Sequence, residues 1–382
     1  MNLKNHLSLC KKCKIRQGFD EGLFQKGASP CFICNDLMDK LDAINNALVA
    51  KVKEGYEFKS FQIGVSLPSS YVEREDDVRS RLRVKGRNNI KSQLVKNLRE
   101  MFKKSLSKEL DNLSPDLRIN LAINDNNEFF FDIVPTSVIL ACRYLKKERG
   151  IPQKQERQSF ARTLPSNKEF QHGSFFSLEE LISEYLKRIT AGVKVKFSWI
   201  GSEDKDSLVL GNGRPFFAEV IKPKRRLIDE HTVNLGEKGI ELFVLGTSKN
   251  LPQYPLRFVS TTRIYISAER IINRKDLECL ASLNGSTIKF KNKSKTVSKA
   301  VHKARIGKVN GKNLELEITA DSGLHIKQFV GGKEYCEPNI SRLLGLRCEC
   351  LSFDIVDISL PNGYNSEVFS DFHPKVNKQV TK

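Results

Sequence analysis

The chain has 382 residues, of which 39% are hydrophobic and 29% charged, as in ordinary globular proteins of two or three domains and unlike disordered or collagen-like chains. No stretch approaches the ~20 apolar residues of a transmembrane helix, and the first residues lack the apolar core of a signal peptide, so we expect a cytoplasmic protein. Lys and Arg number 64 against 45 Asp and Glu, a net charge of +19. This surplus indicates a polyanionic partner, most often nucleic acid. The alternative is a lysine-rich, merely solvated surface.

Four of the nine cysteines form two Cys-x-x-Cys pairs near the start of the sequence: Cys10, Cys13, Cys31 and Cys34. Two such pairs at this distance are typical of a tetrahedral zinc site, to which each pair contributes two thiolates. With four protein ligands the zinc would be structural, because no position is left for water. An iron–sulfur cluster or a redox-active pair is the alternative.

The first half of the chain alternates between helical and strand periodicity. In chain order, the pattern predicts a helix from residue 36, a strand at 61–67, a long helix at 88–109, strands at 117–123 and 129–134, and a helix at 138–145. These elements form an α/β module. The polar stretch 150–177 then predicts a linker.

The second half of the chain is dominated by strands. A capping box at 177–180 begins a helix, and the remaining pattern predicts strands at 193–199, 216–221, 241–246, 258–268, 314–319, 324–330 and 348–359, a helix at 274–283 and a polar tail after 360. Strand runs interrupted by few helices indicate an α+β fold with a mainly antiparallel sheet. We therefore predict three parts: a zinc-binding segment at 1–36, the α/β module at 37–165 and the strand-rich α+β domain at 166–382.

Basic residues cluster in three places, and phosphate contact is their natural use. The candidates for RNA binding are Lys146, Lys147, Arg149, Lys222, Arg225, Arg226, Lys289, Lys291, Lys293 and Lys295. The last four repeat every second residue, so on a strand they would share one face. Any single cluster could equally be a solvated loop.

One acidic loop is the best candidate for a catalytic site. The segment after the strand at 193–199 runs GSEDKDSLVLGNGRPFF, from Gly201 to Phe217. Asp204 lies in the loop at the end of that strand, which is a usual position for a catalytic carboxylate. An ordinary acidic turn is the alternative. The motifs of ATP, NAD, metalloprotease and α/β-hydrolase sites do not occur in the sequence.

This segment resembles the catalytic-aspartate loop of the archaeal/eukaryotic tRNA pseudouridine-54/55 synthases. Arg263-Ile-Tyr265 is similar to the tyrosine motif of that family, and Gly-Leu-His325-Ile-Lys327, followed by Pro-Asn-Ile-Ser-Arg-Leu-Leu, is similar to a later motif. The four cysteines and the stretch from Arg143 to Gln153 resemble the family's zinc-bearing, THUMP-type RNA-binding region. The resemblance covers nearly the whole chain in the same order.

The resemblance implies a tRNA-binding isomerase, with no organic cofactor, that converts uridine 54, uridine 55 or both in the T-arm to pseudouridine. It assigns Asp204 as the nucleophile, Tyr265 as a ring that stacks on the flipped base and assists proton removal, and Lys327 as the partner that keeps Asp204 ionised. His325 and Arg214 would contact the substrate.

Two positions depart from the family pattern. Ser202 replaces an arginine, for which Lys205 or Arg214 could substitute, and His325 replaces a tyrosine. A non-catalytic tRNA-binding protein or chaperone on the same fold is the rival interpretation, and the presence of Asp204, Tyr265 and Lys327 together favours the enzyme. No obligate protein partner and no membrane contact are expected.

Overall fold

The structure is a computed structural model that describes residues 8–19, 30–154, 177–236, 239–248, 251, 256–292, 295–332 and 335–360. The chain divides into two compact units, each described by itself below. The first contains residues up to Ser137 together with Thr190–Gly192 and Ile221–Leu227, and the second contains the rest. Within the described residues, no helix has the length and apolar content needed to cross a membrane.

In its described residues, the first unit combines four α-helices with a four-stranded sheet. Its elements are α1 (Lys11–Gln17), α2 (Leu41–Lys53), β1 (Ser60–Ser66), α3 (Ser69–Leu82), α4 (Ile90–Leu106), β2 (Glu109–Leu110), β3 (Leu117–Ile123) and β4 (Phe129–Pro135). The sheet order is β2-β1-β3-β4, with β1 parallel to both neighbours and β4 antiparallel to β3. The alternating residues of β1 and β3 bury one face, as the period of two predicts.

Most predicted elements of this unit are confirmed, but helices α1 and α3 and the two-residue strand β2 were not predicted. Helix α3 buries only Tyr71, Glu75 and Val78. They lie on one helical face, but only two of them are apolar, which is too weak a periodic signal to predict a helix in a segment this rich in charge.

The second unit is built on a large, mainly antiparallel sheet, as predicted. Its strands are β5 (Val138–Lys146), β6 (Lys194–Trp199), β7 (Val209–Ile221), β8 (His231–Leu235), β9 (Ile240–Ser248), β10 (Val259–Ala268), β11 (Thr287–Asn292), β12 (Lys295–Asn310), β13 (Asn313–Asp321), β14 (Cys336–Glu337) and β15 (Cys348–Ser359). Its helices are α5 (Leu178–Thr190), α6 (Arg274–Leu280), α7 (Ile326–Gly331) and α8 (Ile340–Leu344). The strand order is β14-β11-β12-β13-β10-β15-β7-β5-β9-β8, and β6 pairs with β7.

A seam divides this sheet between β15 and β7. The two strands are parallel and share one register pair, Ile355 opposite Val209, next to a hydrogen bond from the Ile355 N–H to the Leu208 carbonyl at 2.9 Å. The neighbouring antiparallel pairs β10–β15 and β5–β7 are far longer. Two half-sheets therefore meet along a short contact.

Two predicted elements are wrong. The segment at 138–145 is strand β5, not a helix, and it pairs with β7 and β9 in the second unit. It is buried along nearly its whole length, so its side chains are apolar on both faces and no strand period appears. The segment at 324–330 contains helix α7, not a strand. Phe329 and Val330 are consecutive and both buried, which a strand with one exposed face does not allow.

The predicted domain limits at residues 36 and 165 stay predictions. The limit at 165, most of the predicted linker, Lys293 and the tail after 360 lie outside the described residues. Strand β5 belongs to the large sheet of the second unit.

Candidate active site

A cleft of about 620 Å³ opens beside the loop that connects β6 to β7. Its walls come from that loop, from β10, from β15 and from the turn leading into α7. Residues that line it include Gly201, Ser202, Glu203, Asp204, Arg214, Phe258, Ser260, Thr262, Asp321, His325, Lys327 and Phe353. The cleft lies at the seam of the sheet.

Asp204 and Lys327 meet in this cleft as an ion pair. The Lys327 Nζ lies 2.6 Å from the Asp204 Oδ2, and the two side chains are 68% and 45% exposed. The hydrogen bond to Asp204 raises the pKa of Lys327 above its ordinary value, so the ammonium stays charged at neutral pH. Asp204 is thus a solvent-accessible carboxylate with a fixed counter-ion.

The preceding residue, Glu203, has the opposite environment. Its side chain is 0% exposed, and its Oε2 lies 2.7 Å from the Nε of Arg214. The Tyr144 hydroxyl donates to the Glu203 Oε1 at 2.6 Å. Burial, followed by the nearby Glu203 charge, raises the pKa of Tyr144 well above its usual value. Sequence analysis did not single out Glu203 or Tyr144.

Arg214 lines the cleft but is largely occupied with the loop. It donates to the Ile200 carbonyl at 2.7 Å and to the Ser202 carbonyl at 3.3 Å, in addition to its contact with Glu203. A glycine is required at position 201, next to Arg214. The Gly201 φ of +79° is left-handed, and a Cβ there would lie 2.5 Å from the Arg214 Nη1 and 2.7 Å from the Phe258 ring. Arg214 and Gly201 therefore set the path of the loop.

Tyr265 is not among the residues that line the cleft. It lies on β10, whose burial alternates, on the strand face opposite to Thr262, a residue that does line the cleft. Burial and the nearby Asp354 raise the pKa of Tyr265 above its ordinary value. The structure therefore places Asp204, Lys327 and His325 at the cleft, and Tyr265 beside Asp354, which is bonded to Leu208 at the end of the same loop.

His325 is exposed at the cleft and precedes α7. Its ring lies 4.9 Å from the Phe290 ring, centroid to centroid, and its Nδ1 is 3.1 Å from the Gln328 side-chain oxygen. The imidazole is thus supported from two sides with one edge open. Ser202 is exposed in the loop.

The predicted RNA-binding residues differ in accessibility. Lys289, Lys291, Lys295, Lys222 and Arg225 are exposed, and Lys289 and Lys291 share one face of β11 while Ile288 and Phe290 are buried on the other, as the alternation predicts. Lys147 is exposed but pairs with Glu241 at 2.8 Å. Arg226 pairs with Asp116 at 3.1 Å.

Two basic residues from the first cluster have other partners. Lys146 is fully buried and donates to three main-chain carbonyls. Its side chain does not reach the surface, so direct phosphate contact is excluded for it. Arg149 pairs with Asp354 at 2.8 Å. No local pattern in the strand at 348–359 had marked Asp354 as a partner.

The four cysteines of the first unit form one compact group. All are buried, and their Sγ atoms lie within 4.8 Å of one another, so the group could hold a metal ion. The Arg16 Nη2 donates to the Cys13 Sγ at 3.3 Å, and Arg16 also pairs with the buried Glu75 at 2.7 Å. Four convergent buried thiols with a guanidinium beside them suit a cluster of thiolates.

Comparison with known proteins identifies the chain. A family model described as Pus10, C-terminal, matches residues 139–359, and one described as Pus10 THUMP domain, archaeal, matches residues 46–122. A curated tRNA pseudouridine synthase Pus10 from Nitrosopumilus maritimus is 33% identical over 88% of this chain and 87% of its own length. That from Cenarchaeum symbiosum is 33% identical over 92% of this chain and 86% of its own length.

The protein is therefore a pseudouridine synthase, an isomerase. It belongs to the Pus10 family of tRNA pseudouridine synthases, with a THUMP domain in its first unit. Among solved structures, a Cbf5-Nop10-Gar1 complex gives a TM-score of 0.31 at 11% identity, over 46% of this chain and 44% of that chain. That likeness is too small to support an argument.

Proposed function

We propose that this protein isomerises uridine 54, uridine 55 or both in the T-arm of tRNA, with Asp204 as the nucleophile. The single observation that carries this assignment is the pair formed by Asp204 and Lys327 at 2.6 Å, at the open side of the cleft. The names of the curated relatives support tRNA as the substrate.

The chemistry asks for an ionised carboxylate beside a sugar or a base. In the isomerisation the C1′–N1 bond breaks, the uracil turns and a C1′–C5 bond forms; C5 loses a proton and N1 gains one. A carboxylate acts as a covalent nucleophile at an anomeric carbon in glycosidases, and attack on the ribose or on the base uses the same group. Of the two adjacent acids, only Asp204 is accessible for this step, because the Glu203 carboxylate is buried.

Lys327 and His325 complete the site in this proposal. Lys327 supplies the positive charge next to the Asp204 carboxylate, at 2.6 Å. The target base has to leave its stack to reach a cleft in the protein, so the reaction includes base flipping. The His325 imidazole, open on one side, is suited to stack on the flipped base or bond to it. Tyr265 lies next to Asp354, which accepts a hydrogen bond from Leu208 at the far end of the Asp204 loop. In this proposal it stacks on the flipped base and assists removal of the C5 proton.

We infer that tRNA phosphates contact the exposed lysines of β11 and its neighbour. Lys289 and Lys291 share one exposed face of β11. Lys295 is exposed on β12, but its register opposite Asn292 puts it on the other face, so the predicted single row does not extend to it. Lys222 and Arg225 add exposed positive charge in the first unit. Such rows bind a nucleic-acid backbone through counter-ion release.

We infer that the four-cysteine group holds a structural Zn²⁺. Four thiolates complete a tetrahedral shell, and such sites contribute directly to folding. No step of the isomerisation uses this metal. Arg16 supports the charge of the thiolates.

The experiment that tests the proposed function is incubation of the protein with an unmodified tRNA transcript, followed by carbodiimide modification and primer extension. The expected result is a stop at uridine 54, uridine 55 or both. A protein that binds the transcript but leaves both uridines unchanged would support the non-catalytic binding protein instead.

A further inference from the structure

The segment from Lys146 to Gly150 has the sequence of an RNA-binding cluster, but Lys146, Arg149 and the Gly150 N–H are bonded to the loop that carries Asp204. The Lys146 Nζ donates to the main-chain carbonyls of Asp204 and Lys205, each at 3.2 Å. A third bond, to the Ile151 carbonyl at 3.0 Å, uses the last of the three donors of an ammonium group. No donor of Lys146 is left for a phosphate.

The charge of Lys146 is balanced inside the protein. Its Nζ lies 3.9 Å from the Glu203 Oε1, and both side chains are 0% exposed. Burial lowers the pKa of Lys146 from its ordinary value, and the carboxylate of Glu203 opposes that effect. A buried ammonium is costly unless it is paired and hydrogen-bonded, and here both conditions are met by the loop itself.

Arg149 holds the same loop beyond Asp204. Its guanidinium donates to the Asp206 carbonyl and to the Asp354 carboxylate at 2.8 Å. Asp354, which is 1% exposed, in turn accepts from the Leu208 N–H at 2.9 Å. The Gly150 N–H adds a bond to the Lys205 carbonyl at 2.9 Å. The main chain is thus fixed at Asp204 itself and over the residues that follow it.

We propose that Lys146 and Arg149 are positioning residues that hold the main chain of the catalytic loop and thereby aim the Asp204 carboxylate. The proposal rests on the function proposed above, because it takes Asp204 as the nucleophile. Neither Lys146 nor Arg149 is among the residues that line the cleft. Since displacing a reacting group by about 1 Å can cost roughly 100-fold in rate, loosening this loop slows the reaction without removing any contact to tRNA.

The test compares Lys146→Met, Arg149→Met and Arg149→Lys with Lys196→Met, a control that removes one surface lysine of the same unit, 60% exposed in its pair with Glu219. We expect both methionine variants at the loop to lower the single-turnover rate at saturating tRNA by about tenfold or more, with the tRNA Kd within about twofold. Arg149→Lys keeps the charge opposite Asp354 and should recover part of the rate. Lys196→Met should match the wild type.

Hydrogen exchange provides a readout that needs no activity. In Arg149→Met the Leu208 amide should exchange about tenfold faster or more, because its acceptor Asp354 loses its partner; in Lys196→Met it should not change. Arg149 is partly exposed, so this variant decides the matter even if Lys146→Met fails to fold. An unchanged Leu208 exchange rate, or a reduced salt slope of tRNA binding with an unchanged saturated rate, would overturn the proposal. Absence of any uridine conversion by the wild type would instead count against the proposed function and leave the exchange result valid.

Discussion

Glu203 and Asp204 are consecutive acids with opposite environments. The Glu203 carboxylate is buried and lies 2.7 Å from the Arg214 Nε, whereas Asp204 is half-exposed and lies 2.6 Å from the Lys327 Nζ. Each acid has its own cation, so the two charges do not compete for one partner. The first therefore stabilises the loop, and the second is available for chemistry.

Asp204→Asn should abolish pseudouridine formation, because an amide carries no charge and is a far poorer nucleophile. The tRNA Kd should stay within a few-fold of wild type, since the basic surface supplies most of the binding. The control is Asp206→Asn, which should retain measurable turnover. This substitution keeps the Asp206 main-chain carbonyl, which is the group that Arg149 binds. Single-turnover assays measure both. Conversion by Asp204→Asn at a rate near wild type would remove Asp204 from the mechanism.

Glu203→Gln should destabilise the second unit by about 3 kcal/mol, because it leaves the buried charges of Arg214 and Lys146 without their carboxylate. Thermal unfolding measures the loss. Asp206→Asn, in an exposed part of the same loop, should stay within about 0.5 kcal/mol of wild type. Equal stability of the two variants would contradict the structural role of Glu203.

The pKa of Lys327 should fall toward its ordinary value of 10.5 in Asp204→Asn, because the hydrogen bond to Asp204 is the largest cause of its elevation. NMR titration of the lysine Cε resonance measures it. Asp206→Asn removes a smaller contribution and should lower the pKa of Lys327 less.

Because the folded-state pKa of Lys327 is raised, its pair with Asp204 stabilises the fold below pH 10.5, and this contribution is lost as the pH rises through the raised value. An identical pKa in wild type and Asp204→Asn would show that no ion pair forms in solution.

Natively purified protein should contain one zinc per chain, measured by elemental analysis. Cys13→Ser should lose the metal and unfold the first unit, because a four-thiolate site contributes folding free energy. The second unit, with its own hydrophobic core, should keep its unfolding transition. Cys279→Ser is the control, since that thiol is exposed and remote from the group in sequence. Protein purified without zinc would contradict the assignment of the metal.

Lys289→Glu combined with Lys291→Glu should weaken tRNA binding and flatten its dependence on salt, because each lost phosphate contact lowers the slope by about 0.9. The matched control is Lys194→Glu with Lys196→Glu, two exposed lysines in the same i, i+2 spacing on β6. Binding titrations over a range of salt concentrations give the slopes. Equal slopes for the two double variants would make the β11 row a solvated surface.

The parts of the fold with a clear period were predictable from sequence. The alternation in β1, β3, β10 and β15 and the helical repeat of α4 all appear where the pattern indicated. Strand β5 was missed because burial on both faces removes alternation, and α7 because a short helix has too few residues to display its own period. In both cases tertiary contacts, not local pattern, determine the element.

The reacting residues of the candidate site could be predicted from the sequence, but the residues that hold them in place could not. The loop sequence located Asp204, and the resemblance supplied Lys327, which the structure brings to 2.6 Å. The partnership of Arg149 with Asp354 joins residues 205 positions apart, and no local signal links them. The burial of Lys146 could not be predicted either. A lysine in a basic cluster has the same sequence pattern whether its side chain is exposed or bonded to buried main-chain carbonyls.

The ion pair between Asp204 and Lys327 spans the seam of the sheet in the second unit. Asp204 precedes β7 in one half-sheet, and Lys327 follows β13 in the other, while one register pair joins the two halves. The ion pair between Asp204 and Lys327 thus fastens the two half-sheets to each other across the seam, together with the Arg149–Asp354 pair and the Leu208–Asp354 hydrogen bond.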